Sequence, residues 1–188
     1  MSRKQAYSRS ELLDVTKRLV LEHGYDGFNL KLLSQHLPGA RSTIYQYYAN
    51  KDEIISACMK RAIQSIMEKA SALDESDAAT ALQVLLAIYM EEAKFHQLLG
   101  DSYKIKTNGS EETRANVEYV EHAHEFLKVQ LTRLVQNAQQ EKLLRDDIPL
   151  PVHVGVFFNL ISTPNMMNVP VSQWSKLLFD MWMGGAKK

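Results

Sequence analysis

A chain of 188 residues, 45% hydrophobic and 23% charged, is long enough to bury a sizeable core as one large domain or two small ones. Its 22 basic and 22 acidic residues cancel, and its single cysteine excludes an internal disulfide framework. No stretch reaches the roughly 18 apolar residues of a membrane span.

The charge is unevenly placed: residues 1 to 61 carry ten Lys and Arg against six Asp and Glu, a net +4 that leaves −4 for the remainder. The start, MSRKQAYSRSELL, lacks the apolar run of a signal peptide, so a cytoplasmic protein is expected. Ser8-x-x-Glu11 forms a capping box, and Leu12, Thr16, Leu19, Val20 and His23 recur at helical spacing. Gly24 is the expected stop of this first helix. Asn29 caps a second, short helix, with Phe28 and Leu33 placed as a hydrophobic staple, and Pro38-Gly39 breaks it. A third helix is expected from Arg41 to Tyr48. Asn50-x-x-Glu53 then opens a fourth through Ile54, Ile55, Cys58, Ala62, Ile66 and Met67, where Cys58 reads as a small buried apolar residue.

After the polar segment 74–77, ALQVLLAIYM is apolar nearly all round, the mark of a helix buried on several sides. Residues 100–109 read as a loop or a frayed short helix. Ser110, Glu111 and Glu112 start a long helix whose Val117, Val120, Leu127, Leu131 and Leu134 share one direction, and 146–151 is its expected end. VHVGVFFNLI could pass for a strand at Val152, Val154 and Val156, but no second strand exists to pair with it, so it reads as helix. A last helix from Ser172 puts Trp174, Leu177, Leu178 and Met181 on one side. The whole is expected to be all-α, with about nine helices.

Two short helices joined by a tight turn, the second rich in Arg, Ser, Thr and Tyr, are the parts of a helix-turn-helix. Arg41, Ser42 and Thr43 can offer a guanidinium and hydroxyls to base edges, while Tyr45, Tyr47 and Lys51 can hold phosphates. Asn29 and Lys31 join them as DNA-binding candidates, and helix amides near Asn29 and Asn50 are further anion donors. Ile44 and Tyr48 are expected to face the core.

Gly24-Tyr25, Phe28-Asn29-Leu30, Leu33 and the run Ser42-Thr43-Ile44-Tyr45-Gln46-Tyr47-Tyr48, followed by Asn50-Lys51-Asp52-Glu53-Ile54-Ile55, resemble the N-terminal signature of TetR-family transcriptional regulators. The resemblance covers about the first sixty residues. It implies a three-helix head at 1–50 that binds double-stranded operator DNA, and a larger helical body at 51–188 that dimerises and often holds a small-molecule effector. It also implies a groove contact at Thr43, phosphate contacts at Tyr45, Tyr47 and Lys51, and a backbone contact at Asn29. Where the family has Ala-Gly-Val-Ser in the turn, this chain has Leu37-Pro38-Gly39-Ala40, and Ala40 cannot cap the next helix as serine would, a loss of about 1 kcal/mol.

No family signature is visible after about residue 70. Phe157, Phe158, Trp174, Met181 and Trp182, on helices more apolar than one core needs, are the candidates for a homodimer interface. Polar groups on buried faces mark a ligand pocket, and Tyr89 and His124, with Met90, Phe95, Tyr103 and Phe126, are the candidates for one. The sequence gives no reason to expect a metal or other cofactor: it has no Gly-rich phosphate loop, no H-E-x-x-H and no nucleophile elbow. The function expected is a ligand-responsive repressor rather than an enzyme. The rivals are a helical protein-interaction module, with the tyrosines as its surface, and a small helical enzyme using His124 with Tyr89 or Glu121.

Overall fold

The computed structural model describes residues 7–38, 41–95 and 105–186. Helix α1 spans Arg9–Gly27, and its start is the expected capping box: the Ser8 hydroxyl accepts from the Glu11 amide at 3.2 Å and the Glu11 carboxylate from the Ser8 amide at 2.6 Å. The helix does not stop at Gly24 but breaks there, at φ 70° and ψ 173°, and resumes for one turn. The Gly24 carbonyl then accepts from the Phe28 amide at 3.2 Å. That backbone conformation is essentially open to glycine alone. A Cβ at Gly24 would meet no atom within 4 Å, so Gly24→Ala isolates the backbone cost. Chemical denaturation should show a loss of about 1 to 3 kcal/mol, and an unchanged midpoint would contradict the strain.

Helix α2, Leu30–Gln35, is capped by Asn29, whose side-chain oxygen accepts from the Leu32 amide at 2.9 Å, and Phe28 and Leu33 are both buried. Helix α3 covers Arg41–Ile44 only, half the length expected. The amides of Tyr47 and Tyr48 both turn back to the Ile44 carbonyl, at 3.0 Å each. Sinking the Tyr48 ring into the core and laying Tyr47 against Tyr7, ring centroids 6.3 Å apart, ends the ladder after one turn. Helix α4, Lys51–Ser71, opens as expected: Asn50 accepts from the Glu53 amide at 3.0 Å, and Glu53 reaches back to the Ala49 amide at 2.6 Å.

Helix α5, Ala78–Met90, is capped by Asp77 and buried on most sides. A helical turn at 93–95 and a 3-10 turn at Thr107–Gly109 lead to helix α6, Glu111–Gln140. Instead of running to 146, α6 stops at Gln140, because Lys142 takes the left-handed conformation (φ 60°) while the Lys142 and Leu143 amides bond back to Gln139 and Ala138. Helices α7, Leu150–Ile161, and α8, Val171–Ala186, complete the chain, and Val152, Val154 and Val156 belong to a helix. Among the described residues there is no strand, and no helix is long and apolar enough to cross a membrane.

The chain divides into two compact units, Met1–Ile63 with Lys94–Glu121, and Gln64–Ala93 with His122–Lys188; α4 and α6 each supply residues to both. In the first, Leu12, Leu19, Leu33, Ile44, Ile54 and Ile55 are fully buried. Cys58 is buried there as well; its thiol lies 3.5 Å from the Leu13 carbonyl oxygen, and burial pushes its pKa up to about 12, so the thiolate is suppressed at neutral pH. In the second, α5 lies against α7 and α8, with Leu82, Leu85, Leu131, Leu134 and Phe157 fully buried.

Candidate nucleic-acid interface

The recognition segment 41–48 is fixed from its inner side. Ile44 and Tyr48 are buried, as the sequence leads one to expect. The Tyr48 hydroxyl accepts from Arg9 Nε at 2.7 Å, the Arg9 guanidinium sits 5.1 Å from the Tyr48 ring centroid, and burial raises the phenol's pKa so that it stays neutral. Tyr47 is half-buried and its hydroxyl donates to the Tyr7 carbonyl at 3.2 Å. These anchors leave the other side of the segment to solvent.

On that outer side Arg41 and Ser42 are exposed, Thr43 is partly exposed, and Tyr45 is 46% exposed. Arg41 Nη2 donates to the Tyr45 hydroxyl at 2.9 Å, with its guanidinium 5.6 Å from the Tyr45 ring centroid. Asn29 and Lys31 are exposed at the start of α2, where Asn29 is occupied as the cap and Lys31 offers a free-standing ammonium chain to solvent. Lys51 is partly exposed at the start of α4, its ammonium 4.1 Å from the Tyr25 ring centroid and 3.3 Å from the Tyr25 carbonyl oxygen. The Tyr25 hydroxyl in turn bonds to the Asp52 carboxylate, and burial followed by that bond raises the phenol's pKa. Gly39 and Ala40, the centre of the turn, lie outside the described residues.

A surface with a guanidinium, three hydroxyls and two ammonium groups around a rigidly held helical turn can neutralise phosphates and read base edges. Sequence reasoning missed the inner partners, Tyr7, Arg9 and Tyr25. Their roles depend on neighbours 40, 39 and 26 residues away, which local patterns do not reveal.

The other candidate sites fare unevenly. Tyr89 is buried, donates to the Leu127 carbonyl at 3.0 Å and stacks on Phe158 at 6.2 Å; Met90 and Phe95 are buried too. His124 and Phe126 are exposed, and Tyr103 lies outside the described residues. Of the interface candidates, Phe157 and Trp182 pack edge to face at 5.3 Å inside the protomer, and Phe158 and Trp174 are partly buried. Met181 is 66% exposed. Beside it α7 exposes Val152 and Val156, and between α7 and α8 lies an apolar cavity of about 290 Å³ that Ile148, Val152, Val156, Leu160 and Met181 help to line. No group of three or more metal-ligating side chains occurs among the described residues.

Residues 12–58 match the family model of bacterial regulatory proteins, tetR family. The HTH-type transcriptional repressor AcnR of Corynebacterium diphtheriae is 24% identical over 144 residues, 77% of this chain and 72% of the relative. Among solved structures, the ketosteroid transcriptional regulator KstR2 of Mycobacterium tuberculosis superposes with a TM-score of 0.79 at 13% identity, over 99% of this chain and all of that one. AibR, solved in complex with isovaleryl coenzyme A and operator DNA, gives a TM-score of 0.70 at 14% identity over 92% of this chain and 96% of its own.

Proposed function

We propose that this chain, which belongs to the tetR family of bacterial regulatory proteins, is a transcriptional repressor that grips a near-palindromic operator as a homodimer and releases it when a small molecule binds. Residues 1–50 are the DNA-binding head in this reading, and 51–188 dimerise and take the ligand. It would work in the cytoplasm, where the operator is. The observation that carries the reading is the two-sided recognition segment: Ile44 and Tyr48 locked inside, Arg41, Ser42 and Tyr45 held outside. A helical turn inserted in the major groove needs both properties.

Two heads related by the dimer axis would sit in successive major grooves. A ligand would favour a conformation whose head spacing no longer fits the half-sites, and it can do so only by the difference in its affinity for the two states. AcnR is a repressor, and AibR holds isovaleryl coenzyme A and operator DNA on the same fold, which makes an acyl thioester the first ligand to try.

Arg41 is the base reader in this scheme, its exposed guanidinium only 2.9 Å from Tyr45 and free to swing from that partner to a guanine edge. Arg41→Ala should therefore lose about 1 to 3 kcal/mol on the operator and lose its discrimination between the operator and a duplex altered at one guanine. Parallel titrations of both duplexes decide the matter. A loss of the same size on every sequence would make Arg41 a phosphate contact instead.

A further inference from the structure

Arg9 stands outside the surface described above, yet it joins two parts of the first unit that the sequence places far apart. Its Nε donates to the buried Tyr48 hydroxyl at 2.7 Å, and its Nη2 donates to Glu112 Oε1 at 2.6 Å. Tyr48 ends the recognition segment; Glu112 lies in the first turn of α6. Only an arginine can serve both partners in this way, because its planar fork presents separate donors at fixed angles, whereas a lysine is one point charge on a flexible stem. The same stretch of α6 is tied to α4 by two further bonds, Ser110 to Glu53 Oε1 at 3.2 Å and Asn116 to the buried Ser56 hydroxyl at 3.3 Å. The start of α6 therefore holds both α4 and, through Arg9, the end of the recognition segment.

We infer that Arg9 is a positioning residue: braced by Glu112, it sets the recognition segment through Tyr48, so that any shift of the start of α6 is passed to the DNA-reading surface. The inference rests on the repressor reading and adds to it a named coupling. It also makes a prediction whose sign is opposite to that of simple electrostatics. Glu112 is an acid in the unit that binds DNA, and its removal should strengthen attraction to phosphates if charge alone matters. Positioning requires the reverse.

The test is operator binding by the full-length protein and its Glu112→Gln, Arg9→Lys and double variants, over a range of salt, using the duplex upstream of its own gene. Glu112→Gln and Arg9→Lys should each weaken binding about three- to thirtyfold, since a dimer loses the partly exposed tie twice, with the salt slope unchanged. The double variant should lose little more than either single one, because the two act as one unit. Amide exchange across 41–48 in the DNA-free protein should rise in both single variants, while thermal unfolding shifts by no more than a few degrees. Equal or tighter binding by Glu112→Gln, a loss carried by a changed salt slope, or unchanged exchange at 41–48 overturns the inference and leaves the repressor reading standing. If the unmodified protein does not bind the duplex, the repressor reading fails and the inference with it.

Discussion

Lys51→Ala is expected to weaken operator binding about thirtyfold at about 0.15 M salt and to lower the slope of log affinity against log salt by about 1.8. The figures follow from counterion release, at about 0.9 log units of affinity per log unit of salt for each phosphate neutralised and two such contacts in the proposed dimer. The geometry supplies the reason to single out this lysine. Its ammonium rests 4.1 Å from the Tyr25 ring centroid and 3.3 Å from the Tyr25 carbonyl, so its position is set before DNA arrives. The Tyr25 ring is itself held by its bond to Asp52 at the start of the same helix. A cation placed in advance loses less side-chain entropy on binding than a freely rotating one. Were Lys51 only a structural partner of Tyr25, the alanine variant would unfold at lower temperature and keep the salt slope of the parent. Titrations at four or five salt concentrations distinguish the two outcomes.

Met181→Glu is expected to turn the proposed dimer into a monomer at micromolar concentration and to lower operator affinity by more than about a hundredfold. Met181 is 66% exposed, and the neighbouring Val152, Val156 and Leu177 are 50%, 45% and 44% exposed, so α7 and α8 present apolar surface that the protomer does not cover. In a twofold interface each such residue is used twice, and a carboxylate there is desolvated without a partner in both copies. That cost, several kcal/mol per ion, is of the order of a dimerisation free energy. The folded protomer should be unaffected, because the glutamate is solvated until a second copy arrives. DNA binding falls because the second head then engages as a separate molecule rather than at the high local concentration of a tethered one. Sedimentation velocity reads the oligomer directly. A parent protein that sediments as a monomer, or a Met181→Glu variant that remains a dimer, removes this face from the interface.

How far the sequence could be read depends on the range over which each feature is decided. Ser8, Asn29 and Asn50 cap as expected because a cap involves partners three residues away. The lengths of α3 and α6 were not legible. The first is cut short by the burial of Tyr48 and the packing of Tyr47 on Tyr7, and the second by a lysine in the left-handed conformation, where glycine is the usual signal. On α6 the apolar spacing places His124 in the inward stripe, whereas the structure turns Ala123 inward and exposes His124. Buried Asn116 and Gln130 share the inward face, because Asn116 bonds to Ser56 and Gln130 to the Ala70 carbonyl at 2.8 Å. Such pairings rescue polar residues that a hydrophobic pattern assigns to the surface. In the same way Phe157 and Trp182, chosen for an interface because they are large and apolar, satisfy one another inside the protomer. The outer face of the recognition segment was legible, since Arg41, Ser42 and Tyr45 are neighbours in sequence. What holds that face in place, from Tyr7 and Arg9, was not.

The most direct test of a repressor built on this head is fluorescence anisotropy of the purified protein on the duplex upstream of its own gene, at two salt concentrations, with a scrambled duplex alongside. Binding that prefers the upstream duplex, weakens steeply with salt and saturates at two protomers or more per site is the expected result. Binding that is absent, or equal on both duplexes, contradicts it.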